Sequence, residues 1–268
     1  MTDSKTLGAP LYMVQFWFST RRLAELARAL RLPLRHADTS YMVHCALGEL
    51  FGTNAPGLYY VDVQHGPKKV DDGRDVRVLA YSELPGDALM ELARGFASPM
   101  VYATCDFERM AAKPMPSHFA PGMRLGFELR ACPVIRKASA GESPSGRRKW
   151  RRGQELDAFV ARSWELDDPE VDLEREAVYR EWLTGHFERS GAVRTRRISL
   201  ERFSLDRFLR RHGPQASGKR KASTITRPAA TFSGELEVLD AAQFGELLRR
   251  GIGRHKSFGF GMLKIRRA

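Results

Sequence analysis

The sequence Leu11-Tyr-Met-Val-Gln-Phe-Trp-Phe-Ser19 decides how the chain begins, because it is an almost unbroken run of apolar and aromatic residues. Such a short run, rich in aromatic side chains, is typical of a buried strand. Apolar residues then recur at helical spacing, at Leu23, Leu26, Ala27 and Leu30. The sequence therefore predicts a strand followed by a helix.

The segments that follow continue this alternation. A second helix is expected to begin near Tyr41, with Asp38, Thr39 and Ser40 as capping candidates, and to end before Gly52. Apolar alternation and turn residues predict strands at 59–63, 76–81 and 101–107, with a helix at 89–93. This part of the chain thus has the βαββαβ order of a ferredoxin-like domain.

A stretch with several prolines, residues 113–121, is the predicted linker. Beyond it, residues 123–131 alternate between apolar and charged side chains, as in a half-buried strand. Further strands are expected at 193–203 and 232–238, and a helix with a capping box at Asp240 and Gln243. We therefore predict an α+β chain of two tandem ferredoxin-like (RRM-like) domains, residues 1–112 and 122–268. For residues 206–227 the sequence pattern predicts no particular element.

The composition favours a polyanionic partner. Lys and Arg number 44 against 32 Asp and Glu, a net charge of +12, and clustered positive charge binds nucleic acid through counterion release. No apolar run reaches the roughly 20 residues of a membrane helix, and residues 1–18 lack the pattern of a secretory signal. We expect a cytoplasmic protein with no membrane partner.

The residues that commonly bind metals show no metal-binding spacing. Three scattered thiols have no CxxC pattern, and five histidines have no regular spacing to carboxylates or thiols. The residues are Cys45, Cys105, Cys132, His36, His65, His118, His186 and His212. We predict reduced packing cysteines, no metal and no cofactor.

Tyr41 and His44 are three residues apart at the start of a predicted helix, so their side chains project from one face. The helix N-terminus attracts anions, and an imidazole placed there can move a proton during attack on phosphorus. A packing tyrosine and an ordinary histidine are the alternative reading. Alone, this motif is weak.

Two basic regions and a glycine-rich turn are candidate phosphate contacts. Arg254, His255 and Lys256 lie in the turn 251–261, which lacks the order of a nucleotide-binding P-loop; the alternative is a helix end with solvated charges. Trp150 interrupts the basic run Arg147, Arg148, Lys149, Arg151 and Arg152, which can grip RNA with Trp150 stacking on a base, or can be a flexible loop. A second basic field contains Arg194, Arg196, Arg197, Arg202, Arg207, Arg210, Arg211, Lys219, Arg220 and Lys221.

Two C-terminal segments, Phe232-Ser-Gly-Glu-Leu-Glu-Val-Leu-Asp240 and Gly251-Ile-Gly-Arg-His-Lys-Ser-Phe-Gly-Phe-Gly-Met-Leu263, form a recognisable signature. Supporting segments are Tyr41-Met-Val-His44, Arg130-Ala-Cys-Pro-Val-Ile-Arg136 and Ala192-Val-Arg-Thr-Arg-Arg-Ile-Ser-Leu200. Through these segments the whole chain resembles a known family, the CasE or Cse-type repeat endoribonucleases of the type I-E CRISPR surveillance complex (Cascade).

The resemblance implies metal-independent cleavage of CRISPR repeat stem-loops by attack of the 2′-hydroxyl, with 2′,3′-cyclic phosphate and 5′-hydroxyl products. His44 would transfer a proton, Tyr41 would position the 2′-hydroxyl or the phosphate, and Lys256 would stabilise the phosphorane. The basic run 147–152 resembles the family's RNA-binding hairpin. The implied partners are precursor CRISPR RNA, the retained guide RNA and other Cascade subunits.

Two other function classes remain open at this point. A protein of the same fold can hold processed RNA as a scaffold without cutting it, and mutation of His44 separates that case from the enzyme. A DNA-binding protein is disfavoured because no helix-turn-helix or zinc-finger spacing is present.

Overall fold

A computed structural model of the chain describes residues 10–32, 38–62, 75–168, 170–211 and 222–268. The helices are α1 (Thr20–Ala29), α2 (Thr39–Phe51), α3 (Gly86–Phe96), α4 (Pro99–Tyr102), α5 (Ala158–Leu166), α6 (Arg175–Ser190) and α7 (Ala241–Arg250), with 3-10 turns at Gly52–Asn54 and Lys256–Phe258. The strands are β1 (Tyr12–Ser19), β2 (Leu58–Asp62), β3 (Asp75–Ser82), β4 (Ala111–Pro114), β5 (Arg124–Ala131), β6 (Val134–Arg136), β7 (Gly141–Glu142), β8 (Lys149–Trp150), β9 (Glu155–Asp157), β10 (Val193–Arg211), β11 (Ala222–Val238) and β12 (Leu263–Arg267).

The first sheet has the strand order β2-β3-β1-β4, and each neighbouring pair is antiparallel. Val14, Phe16 and Phe18 of β1 are fully buried in a core shared with α1 and α2. Met13, on the opposite face of β1, packs against the core of the second domain. The second face of β1 is therefore partly covered as well, which explains why its sequence is almost continuously apolar rather than alternating.

The fourth strand of this sheet differs from the prediction. Residues 101–107 do not form a strand, because Ser98 caps a short helix whose first residue is Pro99, a favoured helix-starting position. The strand is instead β4, an edge strand whose four residues are all exposed. It contains Lys113 and Pro114, which belong to the predicted linker.

The second sheet has the order β10-β11-β5-β12 and is antiparallel throughout. In chain order its strands are β5, β10, β11 and β12, so its topology repeats that of the first sheet. Helices α5 and α6 follow its first strand and α7 follows its third. The predicted pair of ferredoxin-like domains is confirmed, with the short strands β6 to β9 inserted before α5.

The unassigned segment 206–227 lies in an extended ribbon. Strands β10 and β11 pair from Val193 with Val238 to Arg211 with Ala222, whereas β5 pairs only with residues 230–237 of β11. The outer part of the ribbon therefore projects beyond the sheet. Residues 212–221, with His212 and Lys219 to Lys221, and residues 63–74, with His65 and the predicted turn, lie outside the described residues, as does His36.

Two buried tyrosines of the first sheet join the domains. The hydroxyl of Tyr59 lies 2.5 Å from the carbonyl oxygen of Ser257 and 3.1 Å from that of Ser40. The hydroxyl of Tyr81 donates to the carbonyl oxygen of Leu263 at 2.8 Å. The rings of Phe258 and Phe260 enter the first core from the second domain. The junction is therefore both apolar and hydrogen-bonded.

The glycine-rich loop 251–261 closes on itself at this junction. The amide of Ile252 donates to the carbonyl oxygen of Gly261 at 2.9 Å. The amide of Gly261 in turn donates to the carbonyl oxygen of Arg130 at 2.8 Å. Gly261 has a φ of +86°, and a Cβ placed there would lie 2.5 Å from the carbonyl oxygen of Ile252. This position therefore requires glycine for two reasons, backbone conformation and space.

Substitution of two glycines separates these two reasons. Gly122 has a φ of +84° but open space around its Cα, so Gly122→Ala should lower the free energy of unfolding by about 1–2 kcal/mol through backbone strain alone. Gly261→Ala adds a steric clash that costs about 1–3 kcal/mol, so this variant should lower the free energy of unfolding by clearly more than Gly122→Ala does. Urea unfolding of both variants tests this, and equal losses would contradict the tight closure of the loop.

Candidate active site

A cleft of about 620 Å³ lies where the two domains meet. Its walls come from four places in the chain: α2, β9, the outer part of β11, and the glycine-rich loop. The lining residues are Tyr41, His44, Glu155, Ile225, Gly253, Arg254, His255, Lys256, Ser257 and Phe258. The cleft thus collects the Tyr/His motif and the three polar candidates of the glycine-rich turn.

The cap of α2 sets the direction of Tyr41 and His44. The Oδ1 atom of Asp38 accepts a hydrogen bond from the amide of Tyr41 at 2.7 Å, which begins the helix as predicted. Tyr41 is buried and stacks on Phe258 with ring centroids 5.7 Å apart. The ring of His44 lies 6.1 Å from that of Tyr41, and partial desolvation lowers the pKa of His44 below its ordinary value.

Asp38 is itself an unusual cap. Burial raises the pKa of its carboxyl from 3.8 to about 6, although the amide of Tyr41 and the charge of Arg130 favour the ionised form. Its second oxygen, Oδ2, is buried and has no hydrogen-bond partner among the described residues. The helix that carries His44 therefore begins at a carboxylate whose ionisation is costly in the folded protein.

Glu155 organises the basic side of the cleft. Its Oε1 atom accepts from Nε of Arg254 at 2.6 Å, and its Oε2 atom lies 2.9 Å from Nε2 of His255 and 3.3 Å from Nη2 of Arg227. Burial alone would raise the pKa of Glu155, but His255 and Arg254 outweigh burial and hold the pKa below its ordinary value. One carboxylate thus positions three basic side chains from two separate segments.

His255 is held in an uncommon backbone conformation. Its φ is +61°, in the left-handed region that non-glycine residues rarely adopt. Only 11% of its side chain is exposed. Burial lowers the pKa of His255, and the carboxylate of Glu155 opposes this only in part. The ring is therefore fixed, and its neutral form is favoured.

Lys256 lines the edge of the cleft, but its amino group is engaged elsewhere. Its Nζ donates to the backbone carbonyl of Arg250, at the C-terminus of α7. Burial, and next the charge of Arg250, lower the pKa of Lys256. Contact with a phosphate in the cleft would require the side chain to leave this carbonyl.

The basic run 147–152 includes the second strand, β8, of a small hairpin in which β8 pairs with β7. Arg147, Arg148, Lys149, Arg151 and Arg152 are all exposed. Trp150 is not free to stack on a base, because it stacks on Trp164 of α5 at 6.5 Å and carries the ammonium of Lys137 over its ring at 4.4 Å. The exposed charges of the hairpin are therefore carried on a strand that is fixed by the packing of Trp150.

The other two candidates lie away from the cleft. Arg194 is exposed on β10, and Arg196 pairs with Glu237 of the neighbouring strand. Arg196 lines a separate groove between α6 and β10.

Sequence reasoning missed Glu155, Arg227 and Ile225. Glu155 is separated from Arg227 by 72 residues and from His255 by 100, so no local spacing marks the cluster. The only available signal was a single acidic residue three positions after the last arginine of a basic run.

Across the described ranges, no group of three or more His, Cys, Asp or Glu side chains is placed to hold a metal ion. In the same part of the chain, no helix is long and apolar enough to cross a membrane.

The fold and the cleft define a two-domain α+β protein with a basic, histidine-containing cleft at the domain junction. The family model described as CRISPR associated protein matches residues 11–267. The chain therefore belongs to this family of CRISPR-associated proteins.

A curated relative is the CRISPR-associated endoribonuclease Cse3 of Thermus thermophilus. It is 28% identical over 156 residues, which are 57% of this chain and 61% of the relative. The alignment thus spans less than two thirds of the relative's length.

Solved structures share the fold over nearly the whole chain. A structure of CRISPR endoribonuclease Cse3 bound to 19-nucleotide RNA matches with a TM-score of 0.56 and 19% identity, covering 96% of this chain and 99% of that one. The CRISPR-associated protein Cas6e of Escherichia coli K-12 matches with a TM-score of 0.55 and 19% identity, covering 96% and 100%. A chain of a CRISPR RNA-guided surveillance complex, in a pre-nicking state, matches with a TM-score of 0.55 and 18% identity, covering 96% of this chain and 100% of that one.

Replacement of Asp38 tests how much the ionisation of this buried N-cap of α2 lowers the free energy of unfolding. Because the pKa rises from 3.8 to about 6 on folding, the contribution of Asp38 to stability falls as the pH rises from about 4 to about 6 and is constant above. The total loss of stability across this pH range is about 3 kcal/mol. Asparagine caps helices as well as aspartate does, so Asp38→Asn should raise the free energy of unfolding at pH 7.5 by up to about 3 kcal/mol.

The same variant should give no advantage below pH 4, where aspartate is neutral in both states. Asp240→Asn is the matched control, because Asp240 caps α7 through the amide of Gln243 at a solvent-exposed position. A pH-independent effect of Asp38→Asn, or an effect equal to that of the control, would contradict the interpretation.

Proposed function

We propose that the protein is a metal-independent endoribonuclease that cleaves CRISPR repeat stem-loops in precursor RNA. The observation that carries the proposal is the placement of Tyr41 and His44, on the capped first turns of α2, in a cleft whose opposite wall is the basic glycine-rich loop. The names of the curated relative and of the RNA-bound structure, both endoribonucleases, support it.

The reaction uses the RNA's own 2′-hydroxyl as the nucleophile. Its oxygen attacks the adjacent phosphorus, the bond to the 5′-oxygen breaks, and the products carry a 2′,3′-cyclic phosphate and a 5′-hydroxyl. His44 transfers a proton in this step, and its lowered pKa makes the protonated imidazole a stronger proton donor. Tyr41, fixed by its stacking on Phe258, positions the 2′-hydroxyl or the phosphate.

Charge on the phosphorane is stabilised by the basic wall. Lys256 supplies an ammonium group once it exchanges the Arg250 carbonyl for the phosphate, and Arg254 and His255 contact the RNA from the same loop. The hairpin arginines, Arg147, Arg148, Arg151 and Arg152, with Lys149, bind the RNA backbone, and Arg194 and Arg196 extend the basic surface on β10.

After cleavage the protein retains the guide RNA within a Cascade complex in the cytoplasm. The similarity to a chain of a CRISPR RNA-guided surveillance complex supports this assembly.

Substitution of His44 tests the enzyme. A labelled repeat stem-loop from the same genome, incubated in EDTA, should be cut by the wild type to a cyclic-phosphate end. His44→Ala should bind the RNA with similar affinity and cut at least about 100-fold more slowly, because general acid–base catalysis contributes this much. His118→Ala, in an exposed position after β4, is the control.

Binding without cutting by the wild type would instead identify an RNA scaffold. Cutting only after addition of a divalent metal would contradict the proposed mechanism.

The hairpin is tested by salt dependence. Each phosphate contact contributes about 0.9 to the slope of log K against log salt for a duplex. Arg147→Gln with Arg148→Gln should therefore reduce the slope by about 2 and weaken binding to unrelated stem-loops as well. The matched control is the adjacent pair Arg21→Gln with Arg22→Gln on α1, where both arginines contact Glu25. Equal slopes for the two double variants would remove the hairpin from the RNA interface.

A further inference from the structure

We propose that Glu155 and His255 form a second proton-transfer pair in the cleft: His255 Nδ1 takes the proton of the attacking 2′-hydroxyl, and His44 donates one to the leaving 5′-oxygen. This inference rests on the proposed ribonuclease function. It adds a catalytic residue, a positioning residue and an assignment of the two proton-transfer roles.

The contact between Glu155 and His255 fixes the tautomer of the histidine. An ionised carboxylate only accepts hydrogen bonds, so the imidazole nitrogen that faces it must carry a proton. That nitrogen is Nε2, 2.9 Å from Oε2 of Glu155. In the neutral ring, Nδ1 is then an acceptor, and it has no hydrogen-bond partner within the described structure. A fixed lone pair of this kind is what a general base requires.

Glu155 stays ionised, as the fixed tautomer of His255 requires, because cations surround it. Arg254 lies beside His255 in the loop, and Arg227 reaches the same carboxylate from β11. These two guanidiniums also disfavour a positive charge on His255, as does its burial. The surroundings therefore keep His255 in the neutral form that can accept a proton.

The backbone at His255 points to the same role. A left-handed φ at a non-glycine residue is strained and persists where the surrounding structure imposes it. Here His255 itself is the N-cap of the 3-10 turn that places Lys256 and Phe258 in the cleft. His255 and His44 are linked through the rings of Phe258 and Tyr41, with successive centroids 6.2, 5.7 and 6.1 Å apart.

The proton balance of the step is complete. As the bond from O2′ to phosphorus forms, the 2′-hydroxyl proton moves to Nδ1 of His255. As the bond from phosphorus to O5′ breaks, protonated His44 gives its proton to O5′. His255 ends protonated and His44 neutral, and exchange with water restores both. No metal ion or other reactant is consumed.

A substrate with sulfur in place of the bridging 5′-oxygen distinguishes the two roles, because a thiolate leaves without protonation. Single-turnover cleavage in EDTA is measured for the oxygen and sulfur stem-loops with wild type, His44→Ala, His255→Gln and the control His118→Gln. We expect both active-site variants to cut the oxygen RNA about 100-fold or more slowly. The sulfur RNA should restore His44→Ala but not His255→Gln.

Glu155 is tested as a positioning residue by a double-mutant cycle. Glu155→Gln presents an amide group that can donate to Nε2 and so reverse the tautomer. It should slow cleavage of both RNAs to about the same extent as His255→Gln, and the double variant should be no slower than either single one. If the contact between Glu155 and His255 only maintained the structure of the cleft, its loss would change RNA binding instead. The affinity of each variant is therefore measured with a 2′-deoxy stem-loop that cannot be cut.

The outcomes separate the two proposals. If the wild type does not cut in EDTA, the proposed function fails and this inference with it. If the wild type cuts and His255→Gln cuts the oxygen RNA at the wild-type rate, only the inference fails. Restoration of His255→Gln by the sulfur RNA, or a loss of cleavage fully matched by a loss of binding, also overturns it.

Discussion

The site depends on two buried tyrosine hydroxyls that join the first sheet to the C-terminal segment. Tyr59 reaches the carbonyl of Ser257 in the glycine-rich loop and that of Ser40 at the start of α2, while Tyr81 donates to Leu263 of β12. Burial raises the pKa of both phenols, so the hydroxyls remain protonated donors. The helix that carries His44 and the loop that carries His255 are thereby held in one frame.

The electrostatics of the cleft follow from the burial of charged groups within this frame. Glu155 gathers two arginines and a histidine, so the cluster keeps a net positive charge even when His255 is neutral. Positive charge in a cleft attracts a polyanion. The carboxylates differ in their effect. Glu155 has cationic partners and is stably ionised, whereas Asp38 is buried, one of its oxygens has no partner in the described part of the chain, and its ionisation is costly.

Most of the fold could be predicted from local pattern. The apolar run at 11–19, the Asp38 cap and the alternation at 123–131 each act within a few residues, and the structure shows β1, α2 and β5 at these places. The strand predicted at 101–107 was wrong, because Ser98 and Pro99 start a helical turn there. The true edge strand, Ala-Ala-Lys-Pro at 111–114, buries none of its side chains and so leaves no hydrophobic pattern.

The sequence by itself determined the two repeated βαββαβ units, the basic character of the chain, and the placement of Tyr41 and His44 on one helix face, because these follow from composition and from periodicities of two to four residues. Only the tertiary structure decided which basic residues share a cleft. It bound Lys256 to the Arg250 carbonyl, stacked Trp150 on Trp164, and brought Glu155 to Arg254 and His255. The reason is physical: Glu155 meets these two partners 99 and 100 residues away, and Tyr59 meets Ser257 across 198. Contacts at such separations are set by the packing of the two domains, which no local pattern encodes.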